Sequence, residues 1–320
     1  MKKALIIGLD NYPNARLKGC INDAKNISSE LARNNDSSPN FECKLITDEK
    51  NSISKGVLRN EIESLFEGHC DTALLYFSGH GLIKSTGGYI VTPDWCNGDE
   101  GISMDSILIL ANNSHAKNKV IILDCCHSGS FGSPALNQKN ITQIADGVTI
   151  LTASRKTELA IECNGGGVFT SLLIEGLKGA ATDLMGNVTL ANLYSYIDSA
   201  LGAWSQRPIF KTNTSTFSPI KKVNPLVDIN LLRKICYYFE NYTDEYNLNP
   251  SYEDTYYKKE SKEYDPENIK KFKELQKLQS VGLVVPCNCD FMYFAAIESK
   301  SCKLTSLGHR YWRLAKENKI

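Results

Sequence analysis

The sequence KVIILDCCHSG, residues 119–129, places an apolar run directly before a group of reactive and turn-forming residues. The run KVIIL is typical of a β-strand that is covered on both faces of a parallel sheet. Ligand crevices in such sheets form where the strands end, so we expect Asp124, Cys125 and Cys126 at that edge. The Ser128-Gly129 turn would leave a cysteine exposed in the crevice.

A second segment with the same pattern, an apolar run followed by reactive and turn-forming residues, lies earlier in the sequence. The run DTALLYF, residues 71–77, predicts another buried strand, and Ser78-Gly79-His80-Gly81 follows it directly. A histidine between two glycines can bring both its ring and its backbone close to a substrate. The residues between the two segments are numerous enough to set the two strand ends side by side.

The first two-thirds of the chain alternate strand-like and helix-like patterns, which indicates an α/β layered domain with a mainly parallel sheet. The composition changes after about residue 222, so we place a first domain at 1–222 and a second at 223–320. The predicted strands of the first domain are 3–9, 42–47, 71–77, 88–92, 119–125 and 147–152, and its predicted helices are 22–33, 53–66, 167–177 and 190–203.

Composition excludes several classes of protein. The 36 basic residues balance 36 acidic ones, so no overall charge draws the chain to nucleic acid or to an anionic membrane. A hydrophobic content of 42% is enough to form a core. Only six uncharged residues separate Lys3 from Asp10, too few for a signal peptide, and no long apolar span follows. We therefore expect reduced cysteines, no membrane association and a cytoplasmic location.

The segments SGHG (78–81) and DCCHSG (124–129) together resemble the histidine and cysteine motifs of caspase-like cysteine peptidases of the metacaspase type. Further resemblances follow at 17–24 (LKGCINDA), 151–154 (LTAS) and 167–170 (GVFT), so the likeness spans about residues 1–215. It implies a caspase-like α/β/α sandwich and hydrolysis of peptide bonds in a protein substrate without a cofactor. Cys126 would be the nucleophile, His80 its partner, and the N–H groups of Gly81 and Cys126 the oxyanion donors.

Two adjacent cysteines compete for the nucleophilic role. Residues two apart in a strand share a face, so Asp124 and Cys126 point one way and Cys125 points the other. We therefore predict that Cys125 is a small buried core residue. The family's DxCHSG spacing also selects Cys126 as the nucleophile. The alternative is that Cys126 has a purely structural role. His127 is interpreted as a turn residue packed behind the site.

The resemblance also implies a substrate pocket. In metacaspases, the positions that match Cys20, Asp23, Ser78 and Asp124 bind the side chain before the scissile bond. Carboxylates favour a basic side chain, and the guanidinium of arginine can pair with them through two parallel hydrogen bonds. The alternative for Asp23 is capping of the helix that follows.

No metal site is predicted. An acidic loop could supply the oxygen ligands that Ca²⁺ prefers, but the family's paired aspartates are not reproduced, so a solvated loop is favoured. Its residues are Asp94, Asp99, Glu100 and Asp105.

The second domain resembles a small α+β winged helix with a tyrosine-rich insertion at about 241–266 that is solvated and partly disordered. We predict helices at 227–239, 266–279 and 305–318 and a hairpin at 282–298. Because no dense basic stripe appears, we favour a protein or a small nucleotide-like activator over DNA as its ligand.

The resulting hypothesis is an endopeptidase specific for Arg or Lys, latent until a trigger releases it in a prokaryotic defence or cell-death response. The alternative is a catalytically silent caspase-like scaffold whose winged helix binds DNA or a protein partner. The intact pair of His80 and Cys126 argues against that alternative.

Overall fold

A computed structural model describes most of the chain, and Cys126 and His127 lie outside the described residues. The described residues form two compact units, Met1–Asn224 and Pro225–Ile320. They comprise residues 1–96, 98–125, 143–153, 162–163, 166–202, 207–256 and 264–320.

The first unit alternates strands and helices, as the sequence pattern predicts. Its elements in chain order are β1 Lys2–Gly8, α1 Cys20–Ala32, β2 Phe41–Thr47, α2 Lys55–Phe66, β3 Thr72–Ser78, β4 Gly81–Lys84, β5 Gly87–Ile90, β6 Ile102–Ser103, α3 Met104–Asn113, β7 Asn118–Asp124, β8 Val148–Thr152, β9 Glu162–Cys163, β10 Gly166–Gly167, α4 Val168–Glu175 with a π-helical turn at Gly176–Ala180, β11 Asn187–Val188, α5 Leu190–Leu201, β12 Ile209–Asn213 and β13 Lys221–Lys222.

Six of these strands form the central sheet, in the order β12-β8-β7-β3-β1-β2. The five strands from β8 to β2 pair in parallel, and β12 closes one edge antiparallel to β8. The predicted mainly parallel sheet is therefore confirmed. The pattern did not predict β12, and the strand expected at 88–92 belongs instead to a separate antiparallel sheet, β4-β5-β6.

Two apolar cores cover the two faces of the sheet. Along β3, Leu75 and Phe77 enter the core that α2 and α3 complete, whereas Leu74 and Tyr76 enter the core completed by α1, α4 and α5. Every residue of β3 is buried, as expected for a strand covered by helices on both sides. The unit is thus the predicted α/β/α sandwich.

The second unit combines short helices with the three-stranded antiparallel sheet β14-β16-β15. The resemblance to a winged helix stays a prediction. Its elements are α6 Ile229–Arg233, α7 Ile235–Tyr238, β14 Glu245–Asn247, a 3₁₀ turn at Pro250–Tyr252, α8 Pro266–Ser280, β15 Val284–Pro286, α9 Met292–Ile297, β16 Ser301–Leu304 and α10 Ser306–Lys316.

One prediction for this unit was wrong, and another was incomplete. The segment 282–298 does not form the expected hairpin. The strand β15 is followed by the helix α9 and pairs with the later strand β16. The segment 241–266 is not a plain solvated loop: it contributes β14 to the sheet and buries Leu248 and Tyr252. Residues 257–263 of that segment lie outside the described part.

The nine cysteines whose side chains are described all carry free thiols. In the same part of the chain, no helix combines the length and apolarity needed to cross a membrane.

Candidate active site

The ends of three neighbouring parallel strands bring the predicted site residues together. Gly8 at the end of β1 lies beside Ser78 at the end of β3, and Ser78 lies beside Asp124 at the end of β7. The Gly79 N–H donates to the Asp124 carbonyl oxygen at 3.4 Å. The strands that precede His80 and Cys126 in the sequence therefore end side by side at the same edge of the sheet.

His80 is held by the loop that follows β1. Its Nε2 lies 2.6 Å from the carbonyl oxygen of Ala15. A carbonyl oxygen can only accept, so Nε2 carries a proton and donates it. In the neutral ring, Nδ1 is then the nitrogen with a free lone pair, as a general base requires. The His80 backbone N–H donates to the Tyr12 hydroxyl at 3.1 Å.

Two buried aspartates anchor this loop. The Asp48 carboxylate accepts from the backbone N–H groups of Asp10 at 3.0 Å and Asn11 at 2.7 Å. The Asp10 carboxylate accepts from the N–H groups of Cys20 at 2.9 Å and Ile21 at 3.4 Å, which open α1. Gly19, the capping residue of α1, offers no side chain. Asp10 therefore supplies the acceptor and the negative charge that a helix N-terminus favours.

The four predicted pocket residues lie around the start of α1. Cys20, Asp23, Ser78 and Asp124 are all buried. Burial raises the pKa of the Cys20 thiol well above its ordinary value, the Ser78 hydroxyl opposes that rise through a hydrogen bond, and the charges of Asp10 and Asp124 add to it. Cys20 is therefore a neutral thiol at physiological pH.

Asp23 and Asp124 accept hydrogen bonds from the segment that begins α4. The Asp23 carboxylate accepts from the Gly167 N–H at 3.0 Å, and Asp124 accepts from the Thr170 hydroxyl at 2.6 Å. Asp23 is the fourth residue of α1, whose N-cap is Gly19, so Asp23 is not the N-cap residue, although its carboxylate lies in the first turn of the helix. A Cβ at Gly167 would lie 2.4 Å from an Asp124 carboxylate oxygen, so only glycine fits at that position.

The Thr170 hydroxyl also lies 2.6 Å from the Tyr76 hydroxyl. Because Thr170 donates its proton to Asp124, Tyr76 is the donor to Thr170. The sequence indicated residues 167–170 only as a family resemblance, and this chain of hydrogen bonds gives the segment a physical role: it fixes the Asp124 carboxylate.

The position of Cys125 confirms the predicted alternation of side chains along β7. Its side chain is 1% exposed and belongs to the same core as Leu123 and Phe77. Its thiol packs among apolar side chains on one face of the sheet, so Cys125 is a core residue. Cys126 and its N–H group lie outside the described residues, and its role stays a prediction.

The acidic loop is engaged in other contacts. Asp94 accepts from the Lys55 N–H at 3.1 and 3.0 Å, and Asp99 forms an ion pair with the Lys55 ammonium. Glu100 lies 3.6 Å from the Lys84 ammonium. Among the described residues, no group of three or more His, Cys, Asp or Glu side chains is arranged to hold a metal ion.

Comparisons with known proteins relate the first unit to the caspase fold. The family model of the caspase domain (Peptidase_C14) matches residues 1–218. A protein of solved structure from Geobacter sulfurreducens superposes with a TM-score of 0.51 at 16% identity, over 70% of this chain and 100% of the other. Caspase-1 from Spodoptera frugiperda gives 0.51 at 13% identity, over 70% and 90%. At these identities the two structures show likeness of fold alone. The curated proteins contain no match.

Removal of the Asp10 carboxylate, which caps α1, should lower the free energy of unfolding. In Asp10→Ala, the N–H groups of Cys20 and Ile21 lose their acceptor inside the protein, so we expect a loss of about 2 kcal/mol in the free energy of unfolding. Asp94→Ala is the matched control, because Asp94 also accepts from the start of a helix but is exposed. Its loss should stay below about 1 kcal/mol. Urea titration followed by circular dichroism measures both, and equal losses would contradict the buried-cap account.

Proposed function

The chain belongs to the caspase domain family, and on that premise we propose that it is an endopeptidase that cleaves after arginine or lysine, with Cys126 as nucleophile and His80 as general base. Family membership indicates cysteine peptidase activity in general. One observation carries the finer proposal: Ser78 and Asp124 are neighbours in register, and His80 and Cys126 each follow two residues later in the sequence.

The proposed reaction uses His80 twice. Nδ1 takes the proton of the Cys126 thiol, and the thiolate attacks the carbonyl carbon of the scissile bond. The N–H groups of Gly81 and Cys126 stabilise the oxyanion. When the C–N bond breaks, the imidazolium protonates the leaving amine. Water then attacks the thioester, His80 again accepts a proton, and the acid product and free thiol are released. The Ala15 carbonyl supports both steps, because it keeps the proton on Nε2.

Charge supports the preference for a basic substrate. The donors described for Asp23 and Asp124 include a backbone N–H and a threonine hydroxyl, which are neutral groups. These hydrogen bonds fix the direction in which the two carboxylates point. A guanidinium or ammonium group entering this buried region would be attracted, whereas the carboxylate of an aspartate would be repelled.

We place regulation in the second unit. Residues from Pro225 onward lie outside the family match, which ends at residue 218. The described residues of this unit add no strand to the central sheet. A separate folded unit of this kind is suited to sensing a protein or a small nucleotide-like activator and to keeping the peptidase latent until then. No cofactor enters the proposed reaction, and Ca²⁺ dependence is not part of it.

Two adjacent cysteines provide the first test. We expect the wild type to cleave fluorogenic peptides that end in Arg or Lys in preference to those that end in Asp. Cys126→Ala should lose at least about 1,000-fold in kcat/KM, because the nucleophile is removed. Cys125→Ala is the matched control, and it should retain most of the wild-type rate because Cys125 is buried away from the crevice.

The same assay can contradict the proposal in two ways. Cleavage that survives in Cys126→Ala and disappears in a folded Cys125→Ala would exchange the roles of the two cysteines. A preference for Asp would contradict the acidic pocket and leave the nucleophile unaffected.

The pocket is tested with citrulline, which has nearly the shape of arginine without its charge. For the wild type, we expect kcat/KM to be about 10- to 100-fold higher for the Arg peptide than for its citrulline analogue. In Asp23→Asn and Asp124→Asn this ratio should collapse toward one. Asp105→Asn, a change on α3 outside the pocket, serves as the control and should keep the full ratio. An undiminished ratio in both pocket variants would place charge recognition elsewhere.

A further inference from the structure

We propose that Tyr12 is a positioning residue that holds His80 in its reactive orientation, an inference that rests on the proposed peptidase function. Tyr12 lies in the loop after β1, and its hydroxyl accepts from the His80 N–H at 3.1 Å. The same hydroxyl donates to the Val91 carbonyl oxygen at 3.2 Å. The Val91 N–H in turn donates to the His80 carbonyl oxygen at 2.9 Å. These three hydrogen bonds form a closed ring around the His80 backbone.

The Tyr12 ring also contacts the imidazole itself. The two ring centroids are 4.6 Å apart at an interplanar angle of 63°, which is an edge-to-face arrangement. Three residues later, the Ala15 carbonyl accepts from Nε2. One short loop therefore holds both the backbone and the ring of His80. A displacement of about 1 Å at a reacting group can lower the rate about 100-fold. Holding both the backbone and the ring of His80 in place therefore protects the reaction rate.

The surroundings of Tyr12 are built to keep its hydroxyl in place. The side chain is 3% exposed. A Cβ on residue 79 would lie 2.5 Å from the Tyr12 oxygen, so Gly79 leaves the space that the hydroxyl needs. Burial raises the pKa of Tyr12 well above its ordinary value, although the hydrogen bond from His80 opposes that rise. The hydroxyl therefore stays protonated and continues to donate to Val91 throughout the working pH range.

The ring of hydrogen bonds also reaches the predicted oxyanion donor. Gly81 begins β4 and pairs with Ile90 of β5, and Val91 follows directly. By linking His80 to Val91, Tyr12 fixes the start of this hairpin relative to the imidazole. Loss of the hydroxyl would leave the His80 N–H and the Val91 carbonyl without this partner, and both the base and Gly81 would be less well aligned.

Tyr12→Phe tests the proposal, because it removes one oxygen and keeps the ring. On an Arg peptide we expect kcat to fall about 10- to 100-fold with KM within about 2-fold, since the substrate pocket is untouched. Tyr89→Phe is the matched control: it removes a hydroxyl that bonds Thr86 on the same hairpin, and its kcat should stay at the wild-type value. Active-site titration gives kcat per folded enzyme, so partial unfolding does not imitate the effect.

A second measurement requires no turnover. The rate at which iodoacetamide alkylates Cys126, followed against pH by mass spectrometry, reports the thiolate that His80 stabilises. In Tyr12→Phe the midpoint of this profile should move upward, toward the pKa of about 8.5 of a free thiol. A normal kcat with an unmoved midpoint would overturn the proposal. Absence of peptide cleavage by the wild type would contradict an enzyme that is active without a trigger, whereas the shift in the alkylation profile decides the role of Tyr12 in the latent and the active protein alike.

Discussion

The register of three buried parallel strands fixes where chemistry can occur in the first unit. Gly8, Ser78 and Asp124 lie in one row at the ends of β1, β3 and β7. A slip of one residue would turn every side chain of a strand to the opposite face, and apolar cores on both faces oppose such a slip. The same packing that stabilises the sheet therefore holds Ser78 and Asp124 side by side at the ends of their strands.

The loop after β1 links the two parts of the candidate site. Through Asp10 it caps α1, whose first turns carry Cys20 and Asp23. Through Tyr12 and Ala15 it holds His80. The predicted pocket residues and His80 thus depend on one segment, which the buried Asp48 carboxylate anchors to the end of β2. Buried carboxylates at backbone N–H groups suit this task, because each hydrogen bond to a charged acceptor is stronger than a neutral one.

The sequence predicted the parts of the structure that leave a local pattern. Apolar runs gave the parallel strands, and alternation gave the burial of Cys125. Asp48, Tyr12 and Thr170 could not be found in this way, because their partners lie 37, 68 and 46 residues away in the chain. The error at 282–298 has a related cause: α9, with six residues, is too short to show helical periodicity, and its neighbouring strand pairs beyond it.

In the proposed function, the thiol of Cys126 and an acidic pocket act on one substrate. The most direct measurement uses a peptidyl acyloxymethyl ketone ending in arginine, with the adduct located by mass spectrometry. We expect covalent modification of Cys126 by this probe, little by the same probe ending in aspartate, and none at the buried Cys20 or Cys125. Modification of Cys126 by the aspartate probe in preference, or of a different cysteine by the arginine probe, would contradict the proposed function.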